Sequence, residues 1–237
     1  MTEPRRSSWD TETLPTGRSK ATAVQQMFDT IAPRYDLVNR IMTFRLDVRW
    51  RRLTVAALGL SKGSIIVDLA SGTGDFCREL TKQGYTPLSF DFSFGMLAAD
   101  TSNAPRTQAD ALSLPLAPQS VDGVSCGFAL RNFVDLHTFF VELARVVRQG
   151  GRIALLDVST PTNPVLRLGN SMYFGRIVPM IGALLSDRAA YSYLPRSVSY
   201  LPPKESLCAM LTAAGFVNVD HRQLSGGLVQ LLTATRA

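Results

Sequence analysis

The chain has 237 residues, 46% of them hydrophobic and 19% charged. That is room for one α/β domain with a large core and too little for two ordinary enzyme domains, so a single active site is expected. Cys77, Cys126 and Cys208 are odd in number, far apart and without CxxC or Cys/His spacing, which argues against a zinc site or any other metal and against a disulfide framework. No apolar stretch is long enough to cross a bilayer and the N-terminus lacks the apolar core of a signal peptide, so a cytoplasmic protein is expected.

Residues 1–20 are polar, with Pro4, Pro15 and Gly17, and read as a flexible tail, leaving one domain over 21–237. From Ala21 to Leu58 apolar residues recur at helical spacing around Pro33, which predicts two or three short helices. The same segment concentrates Arg34, Arg40, Arg45, Arg49, Arg51 and Arg52 against only Asp36 and Asp47. A solvated helix face and a lipid-headgroup contact both fit that pattern, as the net charge of +6 does.

After a turn at Ser61-Lys62-Gly63, the β-branched run Ile65 to Ala70 has the character of a strand buried on both faces of a parallel sheet. A glycine loop and a helix from about Asp75 follow, and the strand, loop and helix rhythm repeats as far as Val158. Alternation of this kind predicts an α/β, doubly wound, mostly parallel sheet. Beyond Pro161 a long apolar helical stretch, interrupted by Arg167 and Arg176, reads as a lid insertion over about 161–200. A last helix near Lys204 to Ala214 and two strands that can pair through Ser225-Gly226-Gly227 complete the chain.

Chemistry concentrates at strand ends. Asp68-Leu69-Ala70-Ser71-Gly72-Thr73-Gly74 lies at the carboxyl end of the first strand, where open α/β sheets bind ligands. Gly72 and Gly74 permit a tight turn and close approach, while Asp68 suits a cationic amine better than a pyrophosphate. A nicotinamide enzyme would want a third glycine where Cys77 stands. Asp91 ends the next strand and can accept both hydroxyls of a ribose. Asp110-Ala111 can accept from an adenine amino group, with Met96 and Leu112 about the ring, although Asp110 also suits a turn cap. Three acidic positions at successive strand ends best fit a nucleoside with a charged amino-acid tail.

From about Met27 to Leu231 the chain resembles the menaquinone and ubiquinone biosynthesis C-methyltransferase family. The resemblance is carried by Met27-Phe28-Asp29, Ala32 to Asn39, the Asp68 to Asp75 loop, Asp91-Phe92-Ser93, Gly95-Met96-Leu97, Leu130-Arg131-Asn132, Gly150-Gly151-Arg152, Ser159-Thr160-Pro161, Tyr191 to Leu194 and Gly226-Gly227. It implies a class I methyltransferase with a Rossmann-like sheet of seven strands preceded by helices, using S-adenosyl-L-methionine to methylate a ring carbon of a lipid-tailed quinol. It places Thr73, Asp91, Asp110, Ala111 and Gly127 on the cofactor. The physical requirement is close placement and an electron-rich ring, so a cation that stabilises a phenolate is wanted, and Arg131 beside Asn132 is the candidate. Tyr35, Tyr191 and Tyr193 are candidates for the quinol pocket. His137 and His221 fit structural roles better than a general base.

Three positions depart from the family pattern. Leu232 stands where a histidine is usual, Gly127 replaces a serine, and Leu46-Asp47 occupies the place of a glycine and histidine. A methyltransferase acting on RNA or protein amines would carry Asn or Asp and paired prolines where this chain reads Gly127-Phe128-Ala129-Leu130, so no nucleic-acid partner is expected. Peripheral contact with the inner face of a membrane is expected from the apolar lid, Pro164 to Leu185. A non-catalytic subunit that binds the cofactor is the rival reading.

Overall fold

The computed structural model describes residues 16–178, 180, 193 and 196–237. Before the sheet come three helices, α1 Gly17–Ile31, α2 Tyr35–Met42 and α3 Leu46–Leu58, and then β1 Ile65–Leu69 opens the alternation. It continues through α4 Asp75–Lys82, β2 Thr86–Asp91, α5 Phe94–Ala98, β3 Arg106–Gln108, β4 Val121–Gly127, α6 Leu136–Val146 and β5 Val147–Val158. Next come α7 Pro164–Met172, α8 Lys204–Ala213, β6 Phe216–Leu224 and β7 Val229–Arg236. Helix α1 thus starts four residues before the expected Ala21. Lys20 accounts for the difference: it is buried, its Nζ donates to the Phe133 carbonyl at 2.9 Å and sits 3.7 Å from the Tyr200 ring centroid, partners far away in sequence.

The strands form one seven-stranded sheet in the order β3-β2-β1-β4-β5-β7-β6. Pairings from β3 through β5 are parallel, whereas β7 runs antiparallel to both β5 and β6, so the final strands are the expected hairpin with β7 turned inward. The period of two along each strand distributes side chains to opposite faces. Val67, Leu69, Ile153, Leu155 and Leu232 pack with Phe139, Phe140 and Leu143 of α6 and Leu207 and Leu211 of α8. Ile66, Ala154, Leu156, Val229 and Leu231 pack with Trp50, Val55 and Leu58 of α3 and Phe76 and Leu80 of α4. A separate cluster joins Met27 and Ile31 of α1, Val38 and Met42 of α2, Met96 of α5, Val178 and Tyr193.

Because the chain moves outward from β1 to β2 and β3 and then returns to β4 on the other side, the strand order reverses between β1 and β4. The carboxyl ends of those strands therefore diverge and open a crevice. The lid stretch includes α7, one wider helical turn at Tyr173–Ile177 and a short turn at Val198–Tyr200, while 179, 181–192, 194 and 195 lie outside the described residues; α7 exposes Val165, Leu166, Leu168 and Met172. A permanently packed core helix would bury those side chains.

Candidate active site

The crevice is a cleft of about 130 Å³, partly open to solvent, lined by strand-end residues Leu69, Ala70, Gly72, Asp91, Gly127 and Phe128 and covered by Ala21, Val24, Gln25 and Phe28 of α1. Its floor is set by backbone geometry. Ala70 at φ 51°, Gly72 at 59° and Gly74 at 81° all turn left-handed, a cost that glycine removes at two of these places. At the next exit, Phe128 also has positive φ, 61°.

Asp91 holds this floor together. One of its oxygens accepts the Gly72 N–H at 2.8 Å and the other accepts the Ser93 N–H at 2.8 Å. Each oxygen keeps acceptor capacity for a further donor. Burial pushes the Asp91 carboxyl up to about 6, against the opposing pull of those backbone N–H groups. Ser93 caps α5 by accepting from Met96 N–H at 3.0 Å, which fixes the buried Met96 on the cleft wall. Opposite lie Asp110, Ala111 and Leu112. Asp110 closes the local turn, one oxygen accepting from Leu112 N–H at 2.9 Å, and the residue also lines the cleft.

Other expected residues do not face the cleft. Asp68 points from β1 toward α4 and is fully buried, accepting from Ser125 Oγ at 2.7 Å with Cys77 Sγ at 3.7 Å. Burial raises its carboxyl to about 8, so near neutrality it is uncharged and unsuited to hold a cationic amine. This is the opposite of the expectation from the glycine loop, and the cause is the strand's period, which aligns Asp68 with Ile66 rather than with the ligand side. Thr73 donates to Asp36 at 2.5 Å, and Gly74 packs so closely that a Cβ there would lie 2.1 Å from Asp100 Oδ1. Both form the back of the loop.

A second, larger cavity of about 730 Å³ adjoins the first, lined mainly by apolar residues of α1, α2, α3, α7 and the Ser225 to Val229 segment. Phe28, Tyr35 and Phe128 line both spaces and so form the partition between them. Phe28 meets Tyr35 edge-on with ring centroids 6.0 Å apart, and Phe128 lies 6.3 Å from Trp50. The Tyr35 phenol is raised above its ordinary pKa, chiefly by burial, so it remains a hydroxyl at neutral pH.

Arg131 borders this cavity just past β4. Its Nη1 donates to the Phe128 carbonyl at 2.7 Å and pairs with the fully buried Asp157, while Nε donates to Ser197 Oγ at 3.1 Å. Asn132 lines the cleft and accepts the Tyr193 hydroxyl at 3.0 Å. Tyr193 is itself buried and stands behind Asn132 rather than on either cavity wall. Tyr191 lies outside the described residues.

The three departures are explained by packing. A Cβ at Gly127 would come within 2.2 Å of the Phe76 ring, so a serine there would force that ring to shift. Asp47 is buried and accepts from Thr43 Oγ1 at 2.8 Å and Arg40 at 3.1 Å, and it pairs with Arg51. The network extends through Asp75, which Arg40 meets at 2.8 Å, to Arg78, tying α2, α3 and α4 behind the loop. Leu232 is wholly buried under α6 and α8, away from both cavities.

Sequence reasoning missed α1 as a wall of the cleft. Gln25 donates to the Phe92 carbonyl at 3.0 Å, and Asp29 accepts from Ser93 Oγ at 2.5 Å and Gly95 N–H at 2.9 Å. The available signal was Gly95, where a Cβ would approach Asp29 Cα to 2.9 Å: a glycine inside a helix marks a close neighbour.

Strand order, helical covering and the cleft at the reversal point define the class I methyltransferase fold. Among solved structures, a Thermotoga maritima S-adenosylmethionine-dependent methyltransferase superposes with TM-score 0.64 at 16% identity, covering 90% of this chain and 99% of its own. A Haemonchus contortus phosphoethanolamine N-methyltransferase gives TM-score 0.59 at 13% identity over 79% of this chain and 52% of its own. The ubiE/COQ5 methyltransferase family matches residues 16–236, and the chain belongs to that family. A demethylmenaquinone methyltransferase of Roseiflexus sp. strain RS-1 is 39% identical, covering 95% of this chain and 98% of the relative. That of Mycolicibacterium vanbaalenii is 41% identical over 90% and 95%.

Proposed function

We propose that this enzyme transfers a methyl group from S-adenosyl-L-methionine to a ring carbon of a lipid-tailed quinol, as the demethylmenaquinone methyltransferases named above imply for the menaquinone route. The observation that carries the reading is the partition: a polar-ended cleft and a far larger apolar cavity share Phe28, Tyr35 and Phe128. A small polar acceptor would not need the second space.

The residues of the cleft fit the cofactor. Asp91 retains acceptor capacity for ribose hydroxyls, Asp110 for an amino group, and Met96 with Leu112 offers apolar faces to a flat ring. When bound, S-adenosyl-L-methionine supplies an activated methyl group. The protein's part is to hold the acceptor against the partition, exclude water with α1 and α7, and stabilise the anionic character that the quinol gains as it loses a phenolic proton. Arg131 is the catalytic candidate for that last task, with Asp157 and Ser197 positioning its guanidinium. Asn132, on the cleft side, orients the reacting pair.

No helix among the described residues is long and apolar enough to cross a membrane. The exposed apolar side chains of α7 support a cover that admits the lipid tail from the inner membrane face, in a protein otherwise cytoplasmic; the rest of the expected cover, as far as Leu185, lies largely outside the described residues. Mass spectrometry of the quinone pool in a strain lacking the protein tests the substrate. Accumulation of demethylmenaquinone supports the reading, whereas an unmethylated ubiquinone precursor or an unchanged pool overturns it.

A further inference from the structure

The turn between α2 and α3 has an unusual construction. Phe44 at φ 50° and Arg45 at φ 61° are consecutive non-glycine residues in the left-handed region, which bulky side chains avoid. The surroundings enforce the strain. Thr43 Oγ1 donates to the Asn39 carbonyl and to Asp47 Oδ1, each at 2.8 Å, and the Tyr173 hydroxyl donates to the Met42 carbonyl at 2.7 Å. The outcome is a phenylalanine that is 77% exposed at the tip of a helical elbow, with Leu37, Ile41 and Val48 exposed beside it on the two helices.

Charge on this elbow is sorted by sign. Both acids of the segment turn inward, Asp47 toward Arg40 and Arg51 and Asp36 toward Thr73 and Arg78. Arg45, Arg49 and Arg52 stand in solvent, and no ion pair to them is found among the described residues. The outer face is thus apolar at its tip and cationic around it. Across the elbow the Phe44 ring lies 6.1 Å from Tyr173, which continues the surface into the exposed Leu168 and Met172 of α7. Phe44, Met42 and Tyr173 also line the large apolar cavity, so the patch is the rim of its mouth.

We propose that the α2–α3 elbow, rather than the α7 cover alone, is the element that inserts into an anionic lipid surface, Phe44 entering the acyl boundary while Arg45, Arg49 and Arg52 bind headgroup phosphates. Sorted apolar and cationic side chains on one convex face suit that occupant, because burial of the tip and attraction of the ring act together. The proposal rests on the cavity being the site of a lipid-tailed acceptor, since it explains how such a molecule passes from bilayer to cavity without crossing water.

Flotation of the full-length chain with vesicles of equal parts phosphatidylglycerol and phosphatidylcholine tests it. The wild type floats at low salt, and less with phosphatidylcholine alone or at high salt. Arg45→Glu with Arg49→Glu lowers partitioning about 20-fold or more, from about fivefold for each cation lost. Leu37→Ser with Ile41→Ser also weakens flotation, while turnover on a short-tailed soluble quinol is unchanged in both double variants, which separates failure of the surface from failure of the substrate reading. Phe44→Trp in vesicles with brominated acyl chains shows quenching beyond that of the wild type. Wild type that stays soluble on anionic vesicles, or double variants that float like it, overturn the proposal. A self-association abolished by Leu37→Ser with Ile41→Ser, in protein that does not float, also overturns it and assigns the face to a second copy.

Discussion

The two cavities that meet at Tyr35 are built by different means. In the cleft, positions come from strand ends and backbone N–H groups: Asp91 bridges Gly72 and Ser93, and Met96 is fixed by the Ser93 cap. In the large cavity, positions come from side-chain ion pairs and hydrogen bonds, with Arg131 held by Asp157 of β5 and by Ser197, and Arg51 held by Asp47 and Asp75. On the proposed reading, the rigid sheet serves the cofactor and the helices serve the acceptor. Substitutions in the two regions should therefore fail differently.

The largest effect is expected at Arg131. Arg131→Ala leaves the Asp157 carboxylate buried without its counter-charge and should cost about 3–5 kcal/mol in urea unfolding. Turnover should also fall roughly 100-fold or more. Adding Asp157→Ala removes the stranded charge and should restore much of the stability but none of the turnover. Recovery of both would make the pair purely structural and move the catalytic cation elsewhere.

On the cleft side, Asp91→Ala should weaken S-adenosyl-L-methionine binding by about 1.5–3 kcal/mol in calorimetry, with little change in the affinity of a quinol. The carboxyl titrates at about 6, and hydroxyl donors need its ionised form. Protonation weakens it as an acceptor, so affinity should be flat above that pH and fall below it, levelling off at no more than the loss seen in Asp91→Ala. A pH-independent Kd would remove Asp91 from the site.

Gly127→Ser brings the family's usual residue back against Phe76, and overpacking of this kind costs about 1–3 kcal/mol. Phe76→Leu should relieve it. If the single variant is as stable as the wild type, the steric account of this departure is wrong.

A pH effect on stability is expected at Asp68, which faces neither cavity. Its folded-state carboxyl is raised from 3.8 to about 8, so between these values the folded chain holds a proton that the unfolded chain has released. The stability due to this group is complete below about 4 and is lost as pH rises toward 8, by about 1.4 kcal/mol per pH unit. Asp68→Asn should flatten that slope in denaturation curves recorded across the range, without abolishing cofactor binding. A steep slope retained in the variant would contradict the buried, neutral assignment.

What could be read from sequence follows the same division. The β-branched run at Ile65 to Leu69, the glycine loop and the strand-end carboxylates are local patterns, and the sheet and most of the cleft follow from them. Asp68 went astray because adjacency to the loop was given more weight than strand alternation, which turns it to the opposite face from Leu69. Lys20 and α1 were hidden because their partners, Phe133, Tyr200, Phe92 and Ser93, lie about 65 or more residues away. Arg131 was legible as a residue, but its ion pair with Asp157 forms only when β4 and β5 lie side by side. The sorting of charge at the α2–α3 elbow, with Asp36 and Asp47 inside and Arg45 and Arg49 outside, is likewise invisible in a list of residues.

The central claim, that a methyl group passes across the partition from cleft to apolar cavity onto quinol carbon, is tested most directly by turnover of purified protein. Methyl-labelled S-adenosyl-L-methionine and a reduced demethylmenaquinone are incubated with it, and the product is analysed by mass spectrometry and carbon NMR. One label per product, on a ring carbon and formed in step with S-adenosylhomocysteine, is the expected result. Label on a phenolic oxygen, or no transfer by protein that binds both ligands, would contradict it.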